Sequence, residues 1–165
     1  MDPAETIQSL RLEVYGVVQG VGFRPFIYHK ATENKLTGWV RNTSGYVEII
    51  VEGKKNALDT FCKQLKTEAP PICTIENLII TYQPVIGYET FDIKSSQPQD
   101  DKYQLISPDV ATCPDCIDEI MNPDDRRYRY PFTNCTNCGP RFTIIKEMPY
   151  DRPRTTMATF QMCQL

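Results

Sequence analysis

Leu10-Arg11-Leu12-Glu13-Val14-Tyr15-Gly16, followed directly by Val17-Val18-Gln19-Gly20-Val21-Gly22-Phe23-Arg24-Pro25, decides how the rest of the chain is read. Leu10, Leu12, Val14 and Gly16 alternate with Arg11, Glu13 and Tyr15, the period of a half-buried strand. Gly16, Gly20 and Gly22 then make a loop. Pro25 suits the first turn of a helix, where its missing N–H has no intrahelical partner to lose. The pattern predicts a helix over 25–34 that buries Phe23, Phe26, Ile27 and Ala31. Strand, glycine loop and helix in that order place backbone N–H groups of the loop at a helix N-terminus.

Working outward, 37–42 reads as a second strand, turning at Thr43-Ser44-Gly45 into a third. In that third strand Val47, Ile49 and Val51 alternate with Tyr46, Glu48 and Glu52, so the first set should face the core. Ala57, Leu58, Phe61, Cys62 and Leu65 form one apolar helical stripe, with Lys55, Asp59, Lys63 and Lys66 outward, and Pro70-Pro71 stops it. A fourth strand follows over 75–83, then a short edge segment at 91–93. The order β-α-β-β-α-β predicts an α+β, ferredoxin-like domain with two helices on one face of a sheet. We place this domain at 8–96 and a polar linker at 97–106.

The chain has 165 residues, 41% hydrophobic and 24% charged, which excludes a disordered polymer and leaves room for one domain or two small ones. A formal net charge of -3 provides no global attraction for nucleic acid or anionic membrane. The longest aliphatic runs, Ile49-Ile50-Val51 and Leu78-Ile79-Ile80, fall far short of the roughly 18 residues of a membrane span. Met1-Asp2-Pro3-Ala4-Glu5 is acidic where a secretory signal is basic and then apolar. With seven cysteines, an odd number, a reducing compartment and hence the cytoplasm is expected.

Four of those cysteines stand as Cys113-x-x-Cys116 and Cys135-x-x-Cys138 with eighteen residues between the pairs. That spacing suits a four-thiolate zinc site. Structural zinc, an iron–sulfur cluster and two redox pairs are the three chemistries open to it, and the paired spacing favours zinc. Residues 108 to 153 are rich in Pro, Cys, Arg and Tyr and show no amphipathic stretch of useful length. A metal would therefore have to supply the stability that a hydrophobic core does not. Arg126-Arg127-Tyr128-Arg129-Tyr130 is a basic-aromatic patch of the kind that binds nucleic acid, opposed by Asp115, Asp118, Glu119, Asp124 and Asp125.

Gln19, Gly20, Val21, Gly22, Phe23 and Arg24 form a candidate anion cradle: glycines let N–H groups converge, and Arg24 adds a guanidinium fork for phosphate oxygens. It is neither a dinucleotide fingerprint nor a Walker loop, since Pro25 follows and no Gly-Lys-Ser/Thr appears. Taken alone, the loop reads equally well as an ordinary strand-to-helix turn, and Asn42 as a turn residue. His29, the single histidine, reads as a surface or packing residue, and Cys62 and Cys73 as inert small hydrophobes.

A family resemblance shifts that balance. Gly16-Val17-Val18-Gln19-Gly20-Val21-Gly22-Phe23-Arg24 closely resembles the acylphosphatase signature, and Gly38-Trp39-Val40-Arg41-Asn42-Thr43-Ser44-Gly45-Tyr46-Val47-Glu48 resembles its second motif. The resemblance implies that Arg24 binds the phosphate and Asn42 orients the attacking water. Further on, the stretch from Ser107 through Cys113-Pro114-Asp115-Cys116, the stretch from Tyr128 through Cys135-Thr136-Asn137-Cys138 to Phe142, and Pro149-Tyr150-Asp151-Arg152-Pro153-Arg154-Thr155-Thr156-Met157 resemble the hydrogenase-maturation carbamoyltransferases, the HypF family.

That second resemblance implies an acylphosphatase domain followed by a zinc module at 107–145. It also implies that 146–165 opens a second module, with Cys163 the first of its ligands, so that the chain is the N-terminal part of a longer protein. The long protein is expected to turn carbamoyl phosphate and ATP into a carbamoyl adenylate. It would pass the carbamoyl group to a thiol on a maturation partner, toward the cyanide ligands of nickel–iron hydrogenase. The present chain is expected to hydrolyse carbamoyl phosphate and other acyl phosphates. The rival expectations are a non-catalytic zinc-ribbon adaptor and a nucleic-acid-binding module.

Overall fold

A computed structural model describes residues 6–97, 110–130, 133, 135, 138 and 144–160. The first of these segments folds as β1 (Ile7–Val17), α1 (Phe23–Glu33), β2 (Thr37–Asn42), β3 (Val47–Lys54), α2 (Lys55–Thr67), β4 (Thr74–Gln83) and β5 (Phe91–Ile93). The sheet order is β4-β1-β3-β2-β5. All pairings are antiparallel except β2 with β5, which is parallel and gives β2 a neighbour on its open side. The expected β-α-β-β-α-β order is thus present, with the short 91–93 segment as a fifth strand.

The periodic residues build the core. From the sheet come Leu10, Leu12, Val14, Val40, Val47, Ile49 and Val51; from α1, Phe23, Ile27 and Ala31; from α2, Leu58, Phe61 and Leu65. Each such side chain contributes about 1.5–3 kcal/mol by leaving water, so the two helices are held on one face by burial. The helix α1 begins at Phe23, two residues before the expected start. Gly22 at its N-cap takes φ 73°, a left-handed conformation that glycine reaches at no steric cost. Pro25 still lies within the first turn.

The alternation in β3 is only half the account. Val47, Ile49 and Val51 are buried as expected, but Glu48, Ile50 and Glu52 on the opposite face are buried too. Glu48 lies between Arg11 and Arg41, accepting from Nε of each at 2.8 Å. Glu52 is capped by the segment after β4: its carboxylate accepts the N–H groups of Ile86, Gly87 and Tyr88 at 2.7, 2.9 and 3.1 Å. Trp39 Nε1 donates to the Tyr88 hydroxyl at 3.1 Å, pinning the same segment over the sheet. Of the two charges that pattern reading sends to solvent, Glu48 is paired by arginines of the neighbouring strands and Glu52 is covered by a loop that folds back across it.

Burial alone would push the Glu52 carboxyl up, but the three backbone N–H groups outweigh it and hold the group below the usual glutamate range. Its stabilising contribution is therefore fully present above the unfolded pKa of about 4.3 and is lost as pH falls through the lower folded value. Glu52→Gln is expected to cost about 1–3 kcal/mol in urea unfolding at pH 7. The gap to the unmodified chain should narrow between pH 5 and pH 3, and a pH-independent gap would contradict this account.

Beyond the sheet domain, α3 (Pro114–Met121) is a feature the sequence reading did not anticipate. Pro114 and Asp115 open it favourably, a proline and an acid in the first turn. Its one buried residue is Cys116, so the helix carries a sulfur rather than an apolar stripe. Residues 144–160 follow with two short 3-10 turns, Arg152–Arg154 and Thr156–Thr159. Most of the expected 97–106 linker, and Cys163, lie outside the described residues. Among the described residues no helix is long and apolar enough to cross a membrane.

Candidate active site and metal centre

The loop between β1 and α1 is built for main-chain approach. Val21 and Phe23 are anchored in the core, while Gly20 and Gly22 both adopt φ 73°. Turning the apolar side chains inward leaves the backbone at the surface. Among the described residues, the N–H groups of residues 20 to 24 have no backbone partner. Converging free N–H groups at a helix N-terminus form an anion-binding concavity.

Arg24 stands in the first turn of α1, with about a fifth of its side chain exposed. Asn42 ends β2 and is 1% exposed. A single oxygen touches both: the main-chain carbonyl of Tyr150 accepts from Asn42 Nδ2 at 2.8 Å and from Arg24 Nη2 at 3.2 Å. The two side chains singled out from the sequence therefore converge on one point. Asn42 Oδ1 is buried without a hydrogen-bond partner among the described residues.

Gln19 has a different place from the one its position in the loop suggests. Its side-chain amide donates to the Thr43 carbonyl at 2.8 Å, and its Oε1 accepts from Tyr150 N–H at 3.0 Å. The side chain is a strut between the glycine loop and the β2–β3 turn. That turn is itself fixed by Thr43 Oγ1 donating to the Tyr46 carbonyl at 2.7 Å.

Two site residues, Tyr150 and Asp151, were quoted from the sequence only within the HypF-like stretch 149–157 and given no role in the site. Asp151 Oδ1 lies 2.9 Å from Arg24 Nη1, and Oδ2 accepts from Ser96 N–H at 3.3 Å. Nothing in their residue types pointed to this site, because Tyr150 acts through its main chain and Asp151 is one acid among many.

The remaining nucleophile candidates stand apart. His29 is exposed on α1. Burial raises the Cys62 thiol and pushes that of Cys73 up to about 11, which keeps both in the unreactive thiol form at neutral pH.

Cys113, Cys116, Cys135 and Cys138 come together with all four sulfurs within 4.8 Å of one another. Neighbouring sulfurs are 3.5 Å (Cys113–Cys135), 3.6 Å (Cys135–Cys138) and 3.7 Å (Cys116–Cys138) apart. A tetrahedron with sulfurs about 2.3 Å from its centre has edges of about 3.8 Å, whereas a disulfide is about 2.05 Å long. The donors thus fit zinc and not a pair of disulfides. Although burial pushes the Cys138 thiol up, N–H and thiol hydrogen bonds from its neighbours bring it down to about 6, so it is thiolate, the metal-binding form, at neutral pH. Four thiolates close the coordination sphere, which makes the metal structural.

The basic-aromatic patch beside it is partly neutralised. Arg127 pairs with Glu119 of α3 at 2.7 Å.

Comparison with known proteins divides the chain in the same way. Residues 10–93 match the acylphosphatase family and residues 112–145 the HypF finger. The chain is 49% identical over 148 residues to the probable carbamoyltransferase HypF of Methanocaldococcus jannaschii, covering 87% of this chain and 19% of that protein. It is 39% identical over 89 residues to the acylphosphatase of Methanospirillum hungatei, covering 53% of this chain and 98% of that protein. Among solved structures, full-length HypF in a phosphate- and nucleotide-bound form superposes with a TM-score of 0.90 at 43% identity, over 96% of this chain and 21% of that one. The acylphosphatase of Bacillus subtilis gives 0.51 at 37% identity, over 54% of this chain and 99% of that one. The chain therefore spans about a fifth of the length of the carbamoyltransferases it matches.

Proposed function

This chain belongs to the acylphosphatase family and carries a finger of the HypF type with structural zinc, and from that premise we propose that it hydrolyses carbamoyl phosphate and related small acyl phosphates. The reading is carried by one observation: Arg24 and Asn42 meet on a common point beside a loop whose N–H groups, residues 20 to 24, lack backbone partners among the described residues. The loop and Arg24 would hold the phosphoryl oxygens. Water oriented by Asn42 would attack phosphorus, the P–O bond to carbamate would break, and the proton from water would leave on the inorganic phosphate formed. Carbamate is a stable leaving anion, so positioning and charge stabilisation supply most of what the step needs.

In a longer protein of the carbamoyltransferase kind, the carbamate would be passed on to an ATP-dependent adenylation and then to a partner thiol. We assign hydrogenase maturation to that whole, with the 8–96 domain as its first step and 107–145 as the zinc module.

The test is phosphate release from freshly dissolved carbamoyl phosphate, corrected for its spontaneous decay. We expect turnover by the unmodified chain, and a fall in kcat of about tenfold to a hundredfold in Asn42→Ala with inorganic phosphate binding retained. No release above decay would remove the hydrolytic reading and leave a phosphate-binding adaptor. The nucleic-acid reading predicts salt-sensitive oligonucleotide binding that is lost when Arg126, Arg127 and Arg129 become alanine.

A further inference from the structure

We propose that the Tyr150–Asp151 turn is a positioning element of the hydrolytic site, holding the Asn42 amide and the Arg24 guanidinium from a segment that lies outside the acylphosphatase match. This rests on the hydrolytic reading above. The turn reaches across more than a hundred residues of sequence to engage three side chains of the site. Its Tyr150 carbonyl accepts from Asn42 and Arg24, its Tyr150 N–H donates to Gln19, and its Asp151 carboxylate pairs with Arg24. The second carboxylate oxygen is tied back to Ser96 N–H, so the turn is fixed to the domain on both sides.

The polarity of these contacts determines what Asn42 can do. A carbonyl only accepts, so Tyr150 fixes the amide with Nδ2 toward the turn and Oδ1 away from it. Oδ1 is left buried with no partner among the described residues, an acceptor whose hydrogen bond is unmet. A water attacking phosphorus must keep a lone pair for the phosphorus atom and point its O–H groups at hydrogen-bond acceptors, its proton leaving with the phosphate product. Oδ1 is such an acceptor. The flipped amide would present N–H groups instead, engaging the lone pair that should attack.

The turn does not fill the anion cradle. Its contacts are with side chains and with Ser96, and none is with the loop N–H groups of residues 20 to 24. Arg24 has five N–H donors, and the turn engages one on each terminal nitrogen, leaving the others for phosphate. Acylphosphatases matched over 98% of their own length align with only 53% of this chain, so the turn is an addition to that fold.

The test uses the full chain and its Asp151→Ala and Asp151→Asn variants, with carbamoyl phosphate turnover and NMR titration of inorganic phosphate. Loss of the Asp151 anchor should release the turn and lower kcat about tenfold or more. Phosphate affinity should fall much less than kcat, because the loss of a like charge from the site offsets the looser hold on Arg24. Asp151→Asn, which keeps an acceptor toward Arg24 and Ser96, should recover part of kcat. The Asn42 side-chain amide signals should shift in Asp151→Ala. An unchanged or raised kcat would mean a bystander or a plug, and equal losses of kcat and phosphate affinity would mean a merely structural role; any of these overturns the proposal. If the unmodified chain shows no turnover, the hydrolytic reading itself fails. The Asn42 signals then decide alone, and their staying put in Asp151→Ala overturns the positioning role.

Discussion

Arg24→Ala is expected to lower carbamoyl phosphate hydrolysis by about a hundredfold to a thousandfold, the effect of removing a principal donor to developing charge. The effect is electrostatic. An acyl phosphate brings negative charge to phosphoryl oxygens throughout the reaction, and Arg24 is the cation seated at the loop that would receive them. Its guanidinium offers a fixed fork that a loop of neutral N–H groups lacks. Arg24→Lys keeps the charge and loses the fork, so it should fall between the two. Arg24 is outside the hydrophobic core, so the alanine variant should unfold at nearly the same urea concentration as the unmodified chain. Hydrolysis within threefold of the unmodified rate, in a folded Arg24→Ala, would sink the assignment of the loop as the phosphate site.

The second large effect belongs to the metal. Among the described residues of the finger, the buried groups are Cys116, Thr133 and Cys138, which is no hydrophobic core. The four sulfurs join α3 to Cys135 and Cys138, and structural zinc contributes about 10–16 kcal/mol of apparent binding energy in such small modules. Cys138→Ser should therefore lose one equivalent of zinc per chain, and the finger should become sensitive to protease while the sheet domain keeps its own unfolding transition. A strong chelator should do the same to the unmodified chain. A finger that stays protease-resistant after its zinc is removed would refute the metal's structural role. The separation follows from where the cores lie, since among the described residues the whole of the main hydrophobic cluster falls between Leu10 and Phe91.

The strands, the two long helices and their order were legible because burial leaves a periodic trace: Leu10, Leu12 and Val14 at a spacing of two, Leu58, Phe61 and Leu65 at a spacing of three and four. The four cysteines were legible because metal ligation fixes residue type and local spacing together. The helix α3 was not, because it is short and buries a single sulfur, which gives no stripe to read. The burial of Glu48 and Glu52 was not legible either. Charged residues at alternate positions read as a solvent face unless neighbouring strands or a distant loop supply partners, and here Arg11 and Arg41 of the flanking strands pair Glu48 while the N–H groups of Ile86, Gly87 and Tyr88 meet Glu52.

The same reasoning divides the candidate site. Arg24 and Asn42 were named only through the acylphosphatase-like motifs around them, since taken alone the glycine loop reads as well as an ordinary turn and Asn42 as a turn residue. That they converge on the Tyr150 carbonyl, that Gln19 is a strut, and that Asp151 pairs with Arg24 were decided by tertiary structure alone. Patterns along a chain record local geometry and burial. A main-chain carbonyl brought in from 108 residues away carries no mark of its own, because every residue has one and only the fold determines which donor it meets.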